Sequence, residues 1–88
     1  MTWTVLTVVD FDKAFGKLDR PMQIRIGQAL EQLAGTDDPT KACKALSGPL
    51  TGLWRHRVGN WRIILDVQRH ELVILALDLG NRATIYDR

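Results

Sequence analysis

Hydrophobic and polar residues alternate along two neighbouring segments in the second half of the chain. Residues 53–58 alternate, Gly59-Asn60 has the composition of a two-residue turn, and residues 61–67 alternate again. This pattern predicts a β-hairpin. One face of the hairpin carries the side chains that we expect to face the core, namely Trp54, His56, Val58, Trp61, Ile63, Leu65 and Val67.

The first half of the chain has the pattern of one strand and two helices. Residues 2–9 are rich in β-branched and aromatic side chains, which favours a strand. We expect Asp10 to be the N-cap of a short helix that ends near Leu18. A second helix should begin around Pro21 and end at Gly35. Its apolar stripe recurs at helical spacing and comprises Met22, Ile26, Ala29, Leu30 and Leu33.

The remaining segments complete the predicted fold. Residues 36–49 are polar and rich in turn-forming residues, so we expect a loop. Residues 68–71 should form a turn, and the apolar run 72–79 should form an interior strand. The prediction is therefore a single α+β domain spanning residues 1–88. It has a small, antiparallel-rich, four-stranded sheet with two N-terminal helices packed on one face, in the order β-α-α-β-β-β.

The opposite face of the hairpin carries three arginines, which are Arg55, Arg57 and Arg62. The two-residue turn sets Arg57 opposite Arg62, and two like charges in this position destabilise a strand pair. A face that retains them is suited to binding phosphate, because each planar guanidinium donates two parallel hydrogen bonds and keeps its charge. The alternative is a solvated face whose charges pair with Asp66, but one carboxylate does not neutralise three arginines.

Charge is distributed unevenly along the 88 residues. Residues 1–43 hold five Lys/Arg against six Asp/Glu, a net −1, and residues 44–88 hold seven against four, a net +3. Local basic character of this kind is typical of a phosphate-binding surface. Cys43 is the single cysteine, which excludes an intrachain disulfide and fits a reducing compartment. The chain shows no signal peptide or membrane-spanning run, so we expect a cytoplasmic protein.

Several catalytic chemistries find no support in the sequence. Asp10 and Asp12 are better explained by the start of a helix, His56 by packing in the core and His70 by a solvated turn. We therefore expect no metal and no cofactor. An arginine-rich surface stabilises charge on a phosphodiester but does not readily activate water. If the protein cleaves nucleic acid, the nucleophile should come from the substrate, as the 2′-hydroxyl of RNA.

The sequence resembles the RelE toxins of bacterial toxin–antitoxin pairs, within the wider RelE/ParE superfamily. The resemblance covers about the C-terminal half of the chain at the level of motifs. It is carried by Leu46, Gly48, Leu50, Gly52, Trp54, Arg55, the run from Arg57 to Ile64, the run from Val73 to Leu77, Gly80, Arg82 and Tyr86.

This resemblance implies a ribosome-dependent endoribonuclease that cleaves messenger RNA in the decoding site and forms a hetero-oligomer with an antitoxin of the RelB type. Arg55 and Arg57 would hold the scissile phosphate and help to deprotonate the 2′-hydroxyl, and Arg62 would stabilise the transition state. Arg82 would assist the leaving oxygen, and Tyr86 would orient the base or take part in proton transfer. The expected RNA-binding residues are Lys41, Lys44, Arg55, Arg57 and Asn81.

Two positions depart from the RelE pattern. Relatives commonly have lysine where this chain has Arg55 and Arg57, and an arginine is a poor general base because its pKa exceeds about 12. Asn81 stands where relatives often have histidine or lysine. The main alternative is a ParE-like toxin that inhibits DNA gyrase by binding, and a third possibility is a module that only docks RNA.

Overall fold

The computed structural model describes residues 2–81. Within them the chain forms two α-helices, two short 3-10 helices and five strands. The helices are α1 (Val9–Gly16) and α2 (Arg20–Ala34), and the 3-10 helices span Pro39–Ala42 and Gly48–Leu50. The strands are β1 (Thr4–Thr7), β2 (Lys44–Ala45), β3 (Trp54–Val58), β4 (Trp61–Gln68) and β5 (Val73–Asn81).

All five strands belong to one sheet, in the order β1-β5-β4-β3-β2. β1 runs parallel to β5, and the other neighbouring pairs are antiparallel. The predicted α+β class is confirmed, but the sheet has five strands instead of four. The additional strand is β2, which lies in the segment 36–49 that we expected to be a loop. Two residues are too short to show a periodic pattern, and their pairing with β3 is not visible locally.

The ends of α2 follow the sequence signals. Asp19 is the N-cap, and its side chain accepts a hydrogen bond of 3.0 Å from the backbone N–H of Met22. The helix ends at Gly35, as predicted. The expected cap of α1 is wrong, because that helix begins at Val9 with Val8 as its N-cap. The carbonyl of Val8 already accepts from the N–H of Asp12, so the helix is under way when the chain reaches Asp10.

Both helices pack on one face of the sheet, as predicted. Ile26, Leu30 and Leu33 of α2 are buried, and so is Phe11 of α1. They form one cluster with the buried sheet residues Ile63, Leu65, Ile74 and Ala76. Full burial of a side chain of this size contributes about 1.5–3 kcal/mol, so this layer supplies most of the stability. Among residues 2–81 we find no helix that is long and apolar enough to span a membrane.

The hairpin and the final strand also follow the prediction. Val58 pairs with Trp61 across the turn Gly59-Asn60, and β5 lies inside the sheet between β1 and β4. The core-facing set is confirmed at Val58, Ile63 and Leu65, which are buried. One irregularity was not predicted. The register of β4 against β5 shifts between Ile64 and Leu65, which marks a β-bulge.

Candidate nucleic-acid interface

Cross-strand register places four basic residues on one face of the sheet. Lys44 pairs with Arg55, and Arg57 pairs with Arg62. Paired residues project to the same side of a sheet, and residues two apart on a strand also share a side. We call Lys44, Arg55, Arg57 and Arg62 the basic face. The predicted opposition of Arg57 and Arg62 is confirmed, and Lys44 joins them because it lies in β2.

The four basic side chains differ in exposure. Lys44 and Arg57 are exposed, Arg55 is half-buried, and Arg62 is only 4% exposed. The hairpin pattern alone places Arg62 opposite the core-facing side chains and so indicates an exposed residue, but the structure shows that it is buried. β4 is the middle strand of the sheet, so Arg62 is flanked by Arg57 of β3 and by Gly80 of β5. The sequence indicated the face of the hairpin on which Arg62 lies, but not its central position in the sheet.

A small pocket lies where the basic face meets the hairpin turn. It has a volume of about 100 Å³ and is lined by Arg57, Gly59, Asn60 and Arg62. Gly59 has a φ of 59°, a backbone conformation that side chains disfavour and that a two-residue hairpin turn requires. The turn thus brings two guanidinium groups to one concave surface, where both are able to donate charge-assisted hydrogen bonds to one phosphate.

Because of the bulge, a carboxylate of β5 lies on the same side of the sheet as the basic face. Asp78 pairs with Ile64, which in turn pairs with Arg55. Sequence reasoning missed Asp78, although it interrupts an otherwise apolar run, because strict alternation from Ala76 would direct it to the core. Asp66, the partner that we considered instead, pairs with Leu75, and its carboxylate accepts a hydrogen bond of 3.2 Å from Gln68 Nε2.

The other predicted site residues lie elsewhere or outside the described chain. Lys41 is exposed in the 3-10 helix that precedes β2. Asn81 pairs with Trp61, so its register places it on the helix side of the sheet, away from the basic face. There it lines a pocket of about 660 Å³ with Lys13 and Lys17 of α1. Arg82 and Tyr86 lie outside the described residues.

The cysteine and the core histidine have structural contacts. Burial, with a smaller contribution from Asp38, raises the pKa of Cys43 to about 11, so the thiol stays protonated at neutral pH and is a weak nucleophile. Its Sγ donates to the carbonyl of Pro39 at 3.4 Å. The Nδ1 atom of His56 lies 3.1 Å from the carbonyl oxygen of Ala42, which requires Nδ1 to be the donor. Cys43 packs against the core cluster, and the half-buried His56 contacts the backbone on the same side of the sheet.

Comparison with known proteins identifies relatives in sequence and in structure. Residues 2–86 match the family described as the ParE toxin of type II toxin–antitoxin system, parDE. The fold is similar to the RelBE2 toxin–antitoxin complex from Mycobacterium tuberculosis, with 19% identity, 94% of each chain covered and a TM-score of 0.85. It is also similar to the archaeal RelE–RelB complex from Pyrococcus horikoshii, with 26% identity, 96% of this chain and 99% of that chain covered, and a TM-score of 0.75.

A further similar structure is the intact RelBE toxin–antitoxin complex from E. coli, with 12% identity, 90% of this chain and 95% of that chain covered, and a TM-score of 0.73. No curated protein sequence matches the chain. The resemblance inferred from the hairpin motifs is confirmed at the level of the RelE/ParE superfamily. Since the family match extends over nearly the whole sequence, the chain belongs to the ParE toxin family of type II toxin–antitoxin systems.

Proposed function

We propose that this toxin cleaves messenger RNA in the decoding site of the ribosome and binds the RNA phosphates on its basic face. The observation that carries this proposal is the pocket in which Arg57 and Arg62 lie side by side next to the hairpin turn. An anion that binds between two adjacent guanidinium groups relieves their mutual repulsion. A phosphodiester has the charge and the geometry that such a pair requires.

In the proposed reaction the RNA supplies its own nucleophile. The 2′-oxygen attacks the adjacent phosphorus, the bond to the 5′-oxygen breaks, and the products are a 2′,3′-cyclic phosphate and a 5′-hydroxyl. The 2′-hydroxyl loses a proton, and the leaving oxygen gains one. Arg55 and Arg57 would hold the phosphate, and Arg62 would stabilise the charge that builds on its oxygens. The roles that the resemblance implies for Arg82 and Tyr86 remain part of this proposal.

Neither Cys43 nor His56 is suited to be the general base. The thiol is protonated, and His56 pairs with Ile63, on the opposite side of the sheet from the basic face that would hold the phosphate. Much of the rate would then come from positioning of the RNA by the ribosome. Purified toxin should accordingly cleave ribosome-bound message far faster than free RNA. Efficient cleavage of naked RNA would contradict this assignment.

The second candidate is inhibition of DNA gyrase by binding, without nuclease activity. Two observations favour it. The matching family is described as ParE, and Arg62, the residue assigned to the transition state, is only 4% exposed. A binding toxin would use the exposed side chains of the basic face, Arg57 and Lys44, and would not require a buried guanidinium.

Two assays on the same cells separate these candidates. Primer extension on messages after brief induction should show discrete in-frame cuts if the toxin is a nuclease. Supercoiling of a reporter plasmid should stay normal in that case and should fall if gyrase is the target. Arg57→Ala is expected to abolish the cuts. Arg20→Ala is the matched control, since Arg20 is an exposed arginine in the first turn of α2. Intact messages together with lost supercoiling would refute the nuclease proposal.

We further propose that an antitoxin of the RelB type neutralises this toxin. The solved relatives from Mycobacterium tuberculosis, Pyrococcus horikoshii and E. coli are toxin–antitoxin complexes by their descriptions. The basic face supports a partner with an acidic segment, because charge neutralisation there would exclude RNA from the same surface. Copurification with the antitoxin, followed by cleavage assays with and without it, tests this pairing.

A further inference from the structure

A polar groove lies beside the hairpin turn and is separate from the small pocket lined by Arg57 and Arg62. It has a volume of about 350 Å³ and runs between the outer face of α2 and one edge of β3. Its lining comprises Arg25, Gln28, Ala29, Gln32, His56, Arg57 and Val58. No carboxylate is among these residues, so every charged group that residues 2–81 contribute to the groove is a cation at neutral pH.

The guanidinium of Arg25 lies directly against the hairpin turn. A Cβ atom at Gly59 would lie 3.3 Å from Nη2, 3.5 Å from Nη1 and 3.7 Å from Cζ of Arg25. Both Nη atoms are nearer than Cζ, so the outer edge of the guanidinium lies against the glycine. Arg25 is an exposed residue of α2 whose guanidinium lies beside the hairpin turn.

The two arginines of the groove form no salt bridge within residues 2–81. A salt bridge of 3.2 Å joins Arg69 to Asp38 in this region, and neither Arg25 nor Arg57 takes part in an ion pair there. Two guanidinium groups around one turn raise the local potential and favour an anionic ligand.

The edge of β3 that borders the groove is also open. β2 pairs only with Trp54 and Arg55, so no strand within residues 2–81 covers β3 beyond that point. Arg57 is two residues from Arg55, and the backbone groups of alternate residues point the same way. Its N–H thus faces the groove, where it is available to an acceptor.

Arg57 lines both this groove and the phosphate pocket on the basic face. The two sites therefore adjoin at Arg57. We propose that the groove is a second phosphate-binding site, in which Arg25, Gln28 and Gln32 bind the backbone of single-stranded RNA that continues past the pocket. This inference rests on the proposed function, since the RNA in the groove is the RNA held on the basic face.

The test is the salt dependence of RNA binding by the full chain. The probe is an oligouridylate with 2′-O-methyl riboses, which lacks the free 2′-hydroxyl and is not cut. Loss of one phosphate contact reduces the magnitude of the negative slope of log K against log salt by about 0.7 for a single strand. Arg25→Gln should reduce the magnitude of the slope by about this amount with a long oligomer and leave binding of a dinucleotide unchanged.

Arg20→Gln is the matched control. It removes the same charge from an exposed position of the same helix and should leave the slope unchanged. Gln28→Glu is the second groove variant, because it places a carboxylate beside the RNA at an exposed position and should weaken binding of the long oligomer. It decides the case if Arg25→Gln fails to fold, as judged by thermal denaturation.

Two results would overturn the groove site. One is an equal salt slope of RNA binding for Arg25→Gln and Arg20→Gln, together with a normal affinity of Gln28→Glu for the long oligomer. The other is that the groove variants lose affinity for polyglutamate but keep their affinity for the oligouridylate. This result would assign the groove to an acidic peptide. Cleavage of ribosome-bound message by the wild type is scored separately. If the wild type cleaves ribosome-bound message, the proposed function stands even when the groove variants bind RNA normally. If it does not, the proposed function is refuted, and the salt slopes still show whether the groove binds RNA.

Discussion

Arg62 combines a permanent charge with near-complete burial. Removing a guanidinium from water is costly unless other groups compensate for the lost hydration. The register places one carboxylate, that of Asp78, on the same face of the neighbouring strand, and places the like charge of Arg57 directly opposite. Attraction to Asp78 and repulsion from Arg57 thus both affect how much Arg62 contributes to the stability of the fold.

The different burial of Arg62 and Arg57 predicts that their substitution by alanine affects stability to different extents. Arg62→Ala removes a buried side chain and should lower the free energy of unfolding by about 1–3 kcal/mol. Arg57→Ala changes an exposed residue and should stay within about 0.5 kcal/mol. Thermal denaturation of both variants measures the difference, which is about 4–8 °C per kcal/mol for a domain of this size. Equal melting temperatures would show that burial of Arg62 contributes nothing to stability.

At the scale of elements, the hairpin turn depends on a glycine that accepts a positive φ and a close neighbour. Gly59→Ala should destabilise the protein by about 1–2 kcal/mol, because it forces an alanine into the left-handed region at a φ of 59°. Its new Cβ would also lie 3.3 Å from Arg25 Nη2.

Gly27→Ala is the opposite case, inside α2 with no atom within 4 Å of the new Cβ, and should stabilise by about 0.5–1 kcal/mol. Urea titration of the two variants should give shifts of opposite sign. A shift of the same sign in both would mean that the turn tolerates other residues.

The short 3-10 helix before β2 is tied to the turn between β4 and β5. The carboxylate of Asp38 accepts from the N–H of Thr40 at 3.1 Å and from its hydroxyl at 2.6 Å. Arg69 Nη1 donates to the same carboxylate oxygen at 3.2 Å, and Nη2 donates to the Thr40 hydroxyl at 3.1 Å. The Thr40 side chain, with the Thr40 N–H and Arg69, lowers the pKa of Asp38 below its ordinary value of 3.8.

The direction of this shift gives the pH dependence of stability. Because the folded state lowers the pKa of Asp38, its carboxylate stabilises the fold above about pH 4. That contribution is lost as the pH falls through the folded-state pKa. Asp38→Asn should therefore be less stable than the wild type at neutral pH, and the difference should shrink in acid. Urea midpoints at a series of pH values measure it, and a gap that persists at the lowest pH would argue against the charge of Asp38.

The sequence predicts those elements whose signal is local. Alternation through Val58 and Trp61, with Gly59-Asn60 between them, determines the hairpin and both of its faces. The helix ends at Gly35 for an equally local reason. The strand at Lys44, the bulge beside Ile64 and the burial of Arg62 all depend on which strand lies next to which. Since that information is non-local, no periodicity along the chain contains it.

At the scale of the whole molecule, positive charge is concentrated on one side of the hairpin while the first half of the chain is slightly acidic. An antitoxin that covers the basic face should therefore bind with a strong salt dependence. Arg57→Glu is expected to weaken the complex and to flatten that dependence, whereas Arg20→Glu should change neither. Binding of the purified antitoxin across a salt series measures both effects. Equal behaviour of the two variants would indicate that the antitoxin uses a different surface.

The parallel pairing of β1 with β5 has a consequence for how the toxin is made. Thr4 pairs with Val73 and Thr7 with Ala76, so the first strand of the chain finds its neighbour only among the last strands to be synthesised. Contacts between such distant segments form late in folding, because a long loop must close first. A nascent chain therefore assembles its helices and hairpin before its sheet is complete. The sheet is therefore complete only after β5 has been synthesised, although its parallel neighbour β1 is made first among the five strands.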